Sequence, residues 1–345
     1  MKKIYIVIGI IILGLALFLM LRKRNHNVVS PSFYYWKSIY NTDSSEQKLL
    51  HDLNAKNIYI KYFDVIWNNK TNTPKPEAII TFNAPCTLNV IPVIYIVNDV
   101  FKKCTAKQLD SLTINTAELI KKINQSQNKT VSQIQLDCDW SDGTQQKYFV
   151  FLKKFKAQFI KDNILLSATI RLHQIKYARR TGVPPVDRGM LMFYNMGKLK
   201  NPLTENSIFD KATAQMYTDF IADYPIELDY ALPVFSWGVL IRNEKVIGLI
   251  NDISTASLDT IASLKKARGN LFGVTEGLFF MGTYLMPDDI IRVEEITPKL
   301  ALQAAKILNK NLNNTNFTVS LFHLDNSQIK RYEIQDFKNI YNEFN

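Results

Sequence analysis

The sequence contains few of the residues that build metal sites and disulfide scaffolds. Of its 345 residues, three are cysteine and four are histidine. An odd number of cysteines cannot form a complete disulfide framework, and no CxxC or HExxH spacing is present. A mixed histidine and carboxylate metal site could still be assembled from Asp64, Asp139, His173 and His323. The paired histidines of metal-dependent barrel hydrolases are missing, however, so we expect neither a metal ion nor another cofactor.

The sequence also lacks a glycine-rich turn after its first expected strand and a continuous basic stripe. An open doubly wound sheet would favour such a turn, which argues against that fold. The net charge is +11, and five of the basic residues lie within the first 24 positions. The remaining basic residues are scattered, as on solvated helix faces, although attraction to anionic lipid or to an acidic glycan would use the same charge. No nucleic-acid partner is expected.

A long apolar run occupies residues 4–21, flanked on both sides by basic residues. At about 18 residues it just reaches the length that spans a bilayer core, and neither a small-x-small cleavage site nor a lipoprotein cysteine follows it. We therefore expect residues 1–24 to be an uncleaved membrane anchor, with a cleaved signal peptide as the alternative. Residues 25–44 would be a tether, and its aromatic patch at 33–36 would cover the bottom of an exported domain or sit at the membrane interface.

From residue 45 onward, strand-like and helix-like segments alternate. The eight expected strands cover residues 57–67, 91–97, 132–140, 164–173, 190–196, 227–237, 289–295 and 317–325. Eight strands separated by helices predict an α/β fold, a (β/α)8 TIM barrel over residues 45–345. A hairpin that turns at residues 242–244 is expected directly after the sixth strand.

The most informative segment is QIQLDCDW at residues 133–140. Apolar residues alternate with polar ones, so Asp137 and Asp139 share one face of a strand. Carboxylates at the C-terminal end of a barrel strand lie where barrel enzymes keep their catalytic groups, and mutual repulsion with burial could raise one pKa. Asp139 lies nearer the mouth and is the candidate acid, which Asp137 would orient or tune.

Other polar and aromatic residues follow the remaining expected strands. The candidates for a second carboxylate are Asp64, Glu294 and Asp325. The candidates for substrate binding are Arg171, His173, Tyr194, Asn195, Trp237, His323 and Asp325. Carboxylates combined with aromatic faces suit a carbohydrate. Structural roles are open alternatives, because an Asp137–Arg171 ion pair would hold the barrel together and lower the pKa of the aspartate.

Several segments carry a resemblance to known families. QLDCDW, ATIRLHQ, TGVPPVDRGMLMFYNMG, ALPVFSWGVL and VSLFHLD resemble a bacterial envelope family that has no assigned activity and an expected glycosidase-like barrel. More distantly, Asp137-Cys138-Asp139 is similar to the Asp-x-Asp strand of chitinase-like barrels. In those barrels the catalytic glutamate follows the second aspartate by two residues, and here that position holds Ser141.

These observations favour a membrane-anchored barrel with a cleft directed at glycans. The leading hypothesis is a glycoside hydrolase-like enzyme that acts on an envelope or environmental polysaccharide by carboxylate acid/base chemistry. The alternative is a glycan-binding or envelope assembly protein built on the same barrel without catalysis. The separation and neutralisation of the carboxylates at the mouth distinguish the two hypotheses.

Overall fold

The computed structural model describes residues 27–201 and 204–345. Its strands are β1 (Val28–Tyr35), β2 (Ile39–Tyr40), β3 (Asn57–Asn68), β4 (Thr73–Glu77), β5 (Thr81–Phe82), β6 (Asn89–Ile96), β7 (Gln133–Asp137), β8 (Leu165–Arg171), β9 (Arg188–Met192), β10 (Leu228–Pro233), β11 (Ser236–Arg242), β12 (Lys245–Asn251), β13 (Leu264–Lys266), β14 (Leu271–Val274), β15 (Leu278–Phe280), β16 (Thr283–Leu285), β17 (Ile290–Glu295) and β18 (Asn316–Phe322).

Most of the α-helices follow barrel strands. Most are short, and a few longer ones cover the outer surface. They are α1 (Ser44–Asp52), α2 (Asn98–Lys103), α3 (Ala106–Ser126), α4 (Gln145–Ala157), α5 (Leu172–Lys176), α6 (Ala178–Thr181), α7 (Lys211–Thr218), α8 (Thr255–Leu258), α9 (Pro298–Leu308), α10 (Asn326–Ile329) and α11 (Ile334–Asn342). The long helix α3 begins with a capping box between Thr105 and Gln108, and one apolar face, which includes Leu109, Leu112 and Ile120, is buried in the core.

Eight parallel strands close a barrel in the order β1, β18, β10, β9, β8, β7, β6 and β3, and β3 pairs with β1 to complete the ring. Strand β4 extends the sheet outward as an antiparallel partner of β3. Side chains along β7 alternate between the surrounding helices and the barrel interior. In the interior, Tyr34 Oη donates a hydrogen bond to Gln135 Oε1 at 2.6 Å. The predicted TIM barrel is therefore confirmed, because closure by parallel strands is its defining topology.

The expected tether contains the first strand of the barrel. Residues 28–33 pair with residues 316–321 of β18, and residues 32–35 pair with residues 57–60 of β3. Phe33, Tyr34 and Tyr35 are fully buried. The prediction of a tether over residues 25–44 is wrong for this segment. Trp36 follows the C-terminal end of β1, so it lies at the mouth of the barrel and not at its bottom.

The segment expected to be the seventh barrel strand lies outside the barrel. β17 belongs to a five-stranded sheet ordered β12-β11-β17-β14-β13, whose pairings are antiparallel. This sheet is inserted between the barrel strands β10 and β18 and encloses a separate core that includes Phe272 and Ile291. The predicted hairpin is its first element, with β11 and β12 joined at Asn243 and Glu244. We call residues 236–295 the insertion.

The expected membrane anchor at residues 1–24 lies outside the described residues. Within residues 27–201 and 204–345, none of the helices combines the length and the apolar character needed to cross a membrane.

Candidate functional site

The C-terminal ends of the barrel strands and one side of the insertion enclose two adjoining cavities. One, of about 820 Å³, is lined by residues that include Trp36, Tyr95, Asp137, Trp237, Asp252 and His323. The other, of about 770 Å³, is lined by residues that include Asp139, Ser141, His173, Arg180 and Tyr217. Both are lined by Arg171, Tyr194 and Asn195. The two cavities together form a continuous depression, which we call the groove.

Arg171 occupies the centre of the groove because it is the last residue of β8. Its guanidinium Nε forms an ion pair with Asp139 Oδ1. Burial would lower the pKa of Arg171, but the neighbouring carboxylates of Asp137 and Asp139 raise it above its usual value. The guanidinium is therefore a fixed positive charge at the junction of the two cavities.

Asp137, the last residue of β7, is buried beneath this ion pair. It accepts a hydrogen bond from Thr169 Oγ1 at 2.6 Å. Burial raises the pKa of Asp137, and the nearby charge of Arg171 opposes that shift while Asp139 adds to it. The site therefore favours the neutral form of the Asp137 carboxyl group more than water does.

Asp139 is the exposed member of the pair, with 54% of its side chain accessible. Two residues later, Ser141 stands where chitinase-like barrels carry their catalytic glutamate. Its amide donates to Thr144 Oγ1 at 2.9 Å, and its hydroxyl accepts from Asn98 Nδ2 at 3.4 Å. Ser141 therefore closes the turn before α4 and offers no proton donor of carboxylic-acid strength to the groove.

Two further candidate carboxylates are paired with lysines. Asp64 Oδ2 lies 3.0 Å from Lys61 Nζ, and Asp325 Oδ2 lies 2.7 Å from Lys37 Nζ. Asp325 also caps helix α10 by accepting from the Ser327 amide at 2.8 Å. Burial alone would raise the pKa of Asp325, but the lysine and the Ser327 hydrogen bonds lower it.

Glu294 is not at the mouth of a barrel strand, in contrast to the prediction. It lies in β17 of the insertion and is fully buried. Its Oε1 accepts from Arg292 Nε at 2.8 Å, and its Oε2 accepts from the Ser207 amide and from Trp237 Nε1, both at 2.8 Å. A carboxylate enclosed by these donors holds the insertion and Trp237 in place and cannot act on a ligand in the groove.

The two candidate histidines lie on opposite sides of Arg171. His173 lines the 770 Å³ cavity, and His323 lines the 820 Å³ cavity. Burial lowers the pKa of both imidazoles. The Nδ1 atom of His323 is buried and has no hydrogen-bond partner within the described chain.

Tyr194, Asn195 and Trp237 reach the groove as the sequence predicts. Tyr194 is buried, and its hydroxyl donates to Met192 Sδ at 2.9 Å. Asn195 adopts a left-handed backbone conformation with φ of 56°, which asparagine tolerates better than most residues. The roles of these residues in binding stay predictions.

Sequence reasoning missed several residues of the groove. They are Trp36, Lys37, Tyr95, Arg180, Tyr217, Phe235 and Asp252. Trp36 and Lys37 directly follow β1, so identifying residues 28–35 as a barrel strand would have placed both at the mouth. Asp252 is contributed by the insertion, and no local pattern places an inserted sheet beside a barrel mouth. Within the described part of the chain, no group of three or more His, Cys, Asp or Glu side chains is arranged to hold a metal ion.

No protein-family model and no curated protein matches this chain. Solved structures do match it. The spore cortex-lytic enzyme SleL of Bacillus cereus is 12% identical with a TM-score of 0.54, covering 92% of this chain and 75% of that one. A GH18 chitinase from Cycas revoluta, crystallised with (GlcNAc)4, is also 12% identical with a TM-score of 0.54, covering 92% and 100%.

A third similar structure is named as a chitinase-like agglutinin, from Robinia pseudoacacia. It is 10% identical with a TM-score of 0.51, covering 91% of this chain and 99% of that one. At such identities the similarity concerns the fold alone. It confirms the resemblance drawn from Asp137-Cys138-Asp139 at that level: the chain has the glycoside hydrolase-like barrel fold of the chitinases and of the spore cortex-lytic enzymes.

Proposed function

We propose that the groove binds an oligosaccharide without hydrolysing it. One observation carries this proposal: three of the candidate carboxylates are paired with basic side chains, and a fourth, Glu294, is buried in the insertion. Asp139 is paired with Arg171, Asp64 with Lys61 and Asp325 with Lys37. Most glycoside hydrolases use one protonated acid and one free carboxylate that flank the scissile bond, and substrate-assisted enzymes still need the acid. Ser141, at the position of the family's acid, cannot replace either of them.

The lining of the groove suits a sugar ligand. The rings of Trp36, Trp237 and Tyr217 offer flat apolar faces, and Arg171, Asn195 and Asp139 offer hydrogen-bonding groups between them. Sugars combine apolar C–H faces with hydroxyl edges, so they are recognised by this mixture. The similar structures include a chitinase in complex with (GlcNAc)4 and a chitinase-like agglutinin, which supports a carbohydrate ligand.

The test is glycan binding and turnover by the purified chain, measured side by side on a panel that includes chitooligosaccharides and peptidoglycan fragments. We expect saturable binding by titration calorimetry and no new reducing ends. Asp139→Asn should keep the fold and still give no turnover. Hydrolysis by the wild type that disappears in Asp139→Asn would overturn the proposal and establish an enzyme.

A hydrolase is the second candidate, and one observation favours it. Burial raises the pKa of Asp137, as expected of a carboxyl group that donates a proton. This assignment reverses the roles expected from the sequence: Asp137 would be the acid, and Asp139 would be the second carboxylate, released from Arg171 when substrate binds. The turnover assay distinguishes this candidate from the first, because only a hydrolase produces reducing ends.

We further propose that residues 1–24 anchor the barrel, on the exported side of a membrane, to act on an envelope or environmental polysaccharide. The uninterrupted apolar run supports this. The chain enters β1 at the end of the barrel opposite the groove, where the Val28 amide donates to Thr315 O at 2.7 Å. The groove would then face away from the membrane. Carbonate extraction and protease accessibility in intact cells test this arrangement, and release of the chain by carbonate would contradict it.

A further inference from the structure

The strand β12 is a free edge of the insertion's sheet, and it lies beside the groove. It stands first in the order β12-β11-β17-β14-β13, so β11 is the strand that pairs with it. Leu249 and Asn251 of β12 both line the 820 Å³ cavity. Leu249 is 39% exposed, and Asn251 is also exposed. The edge of the inserted sheet therefore forms part of the wall of the groove.

The register between β11 and β12 shows which backbone groups of this edge are unpaired. In an antiparallel pair, facing residues alternate between pairs that exchange two hydrogen bonds and pairs that exchange none. The Asp252 amide donates to Ser236 O at 3.1 Å, so these two residues form a bonded pair. Asn251 and Leu249, one and three positions earlier, then belong to non-bonded pairs. Their N–H and C=O groups therefore point away from β11.

These outward groups have no backbone partner elsewhere in residues 27–201 and 204–345. They repeat at every second residue, roughly 7 Å apart, and each residue presents a donor beside an acceptor. A peptide that is added as a strand has the same repeat, so it can exchange both hydrogen bonds with each of these residues. A sugar hydroxyl can bond to one such group, but a sugar chain does not repeat amide pairs at this spacing.

Two other sheet edges of this protein are protected, whereas β12 is not. β4 carries Pro74 and Pro76, whose nitrogen atoms cannot donate, and β13 has only three residues, of which two are lysines. Proline, charge and short length are the usual means of blocking an exposed edge. Over its seven residues β12 has no proline, and its one charged residue, Lys245, lies at the end farthest from Asn251. The edge beside the groove is thus open to pairing.

We infer that the free edge of β12 binds the peptide branch of a glycopeptide whose sugar chain lies in the groove. The peptide pairs with Leu249 and Asn251 as an added strand, and the exposed Leu249 side chain contacts an apolar side chain of the peptide. Trp237 lies opposite Asn251 and lines the same cavity, so one ligand can contact both. This inference rests on the proposed glycan binding, and it narrows the ligand to glycans that carry peptides, as peptidoglycan does.

The test compares the disaccharide–tetrapeptide of peptidoglycan with the same disaccharide after removal of its peptide, by titration calorimetry on the full-length chain in detergent. We expect the wild type to bind the peptide-bearing ligand about tenfold more tightly, as two additional net hydrogen bonds provide. Leu249→Pro should bring the two affinities together, because proline removes an outward donor but no hydrogen bond to β11. Leu249→Ala, which keeps the amide, should retain most of the preference.

Val246→Pro is the matched control and should behave as the wild type. Val246 follows Lys245, whose pairing with Arg242 closes the hairpin, so its amide also points outward. It lines neither cavity of the groove. Amide hydrogen exchange gives a readout that needs no substitution. The glycopeptide, but not the disaccharide, should slow exchange at Leu249 and Asn251 and leave Val246 unchanged.

Equal binding of the two ligands by the wild type would overturn the peptide subsite and leave the proposed glycan binding intact. A preference that survives in folded Leu249→Pro would also overturn it, and if that variant does not fold, unchanged exchange at Leu249 and Asn251 would do so. Sedimentation as a dimer that the glycopeptide does not dissociate would assign the edge to a second copy and overturn the inference. Failure to bind any member of the glycan panel would instead overturn the proposed function itself.

Discussion

Trp237 donates its indole N–H to Glu294 Oε2 at 2.8 Å, and this bond joins the wall of the groove to the buried centre of the insertion. The same carboxylate accepts a hydrogen bond from Arg292 Nε. The guanidinium of Arg292 also donates to the carbonyl oxygens of Leu199 and Asn201. One buried acid therefore fixes the position of an aromatic side chain that lines the groove and of the loop that precedes α7.

Replacing Glu294 by glutamine should destabilise the protein strongly. The buried guanidinium of Arg292 would lose its counter-ion, and breaking a buried pair in this way costs about 3 kcal/mol or more. Guanidinium denaturation followed by circular dichroism measures the loss. Glu295→Gln is the neighbouring control, since its carboxylate is partly exposed and its removal should cost about 1 kcal/mol. Equal losses would contradict the role assigned to Glu294.

Asp137→Asn should become progressively more stable than the wild type as the pH rises. Burial raises the folded-state pKa of Asp137, so the folded chain holds this proton more tightly than the unfolded chain. The stabilisation is complete below the unfolded pKa of about 3.9 and is lost as the pH rises through the folded pKa. Urea denaturation between about pH 4 and about pH 7 measures the divergence.

Thr169→Val is the control for that experiment. It removes the 2.6 Å hydrogen bond to Asp137 but keeps the titrating group, so it should lower stability by about 1 kcal/mol while retaining the pH dependence. If the curves for Asp137→Asn and wild type run parallel across the pH range, the raised pKa is contradicted.

The three cysteines should resist alkylation in the folded protein. Cys86, Cys104 and Cys138 are all buried and unpaired. Burial raises the pKa of Cys104 to about 11, and burial also raises the pKa of Cys138, so little thiolate forms at neutral pH. Mass spectrometry after iodoacetamide treatment should show no adducts in buffer and three in guanidinium without reductant. A single adduct under denaturing conditions would reveal a disulfide between two of them.

A fragment that begins at residue 27 should fold, and one that begins at residue 45 should not. The shorter fragment lacks β1, including the buried side chains Phe33, Tyr34 and Tyr35. Losing about 3 kcal/mol for each aromatic side chain amounts to roughly the whole stability of a domain. Thermal unfolding of both fragments, monitored by circular dichroism, tests this prediction. A cooperative transition in the shorter fragment would contradict the assignment of β1 to the barrel.

The sequence allowed the barrel to be predicted because most of its strands are apolar runs separated by amphipathic helices. It did not identify β1, since Pro31 lacks the amide proton of a ladder hydrogen bond and residues 28–35 show no strict alternation of apolar and polar side chains. It also placed residues 289–295 in the barrel. Periodicity reveals a buried strand but not whether its neighbours are parallel or antiparallel. The count of eight was right, although one member was wrong.

For the site, alternation in residues 133–140 located Asp137 and Asp139. The ion pair considered between Arg171 and Asp137 is formed instead with Asp139. Glu294 was misplaced because its strand was. Asp252 could not be found, since its position depends on how the insertion packs beside the barrel. Local periodicity thus identifies residues at strand ends, while contributions from an inserted sheet depend on tertiary contacts.

The position of β1 between β3 and β18 has a consequence for biosynthesis. The first described strand obtains its second neighbour only from β18, the last barrel strand in chain order. All the other barrel strands are therefore synthesised before the ring can close. Until then the edges of β1 and β10 are unpaired and open to misassociation. The nascent chain thus depends on protection of these edges for longer than a protein whose sheet grows in sequence order.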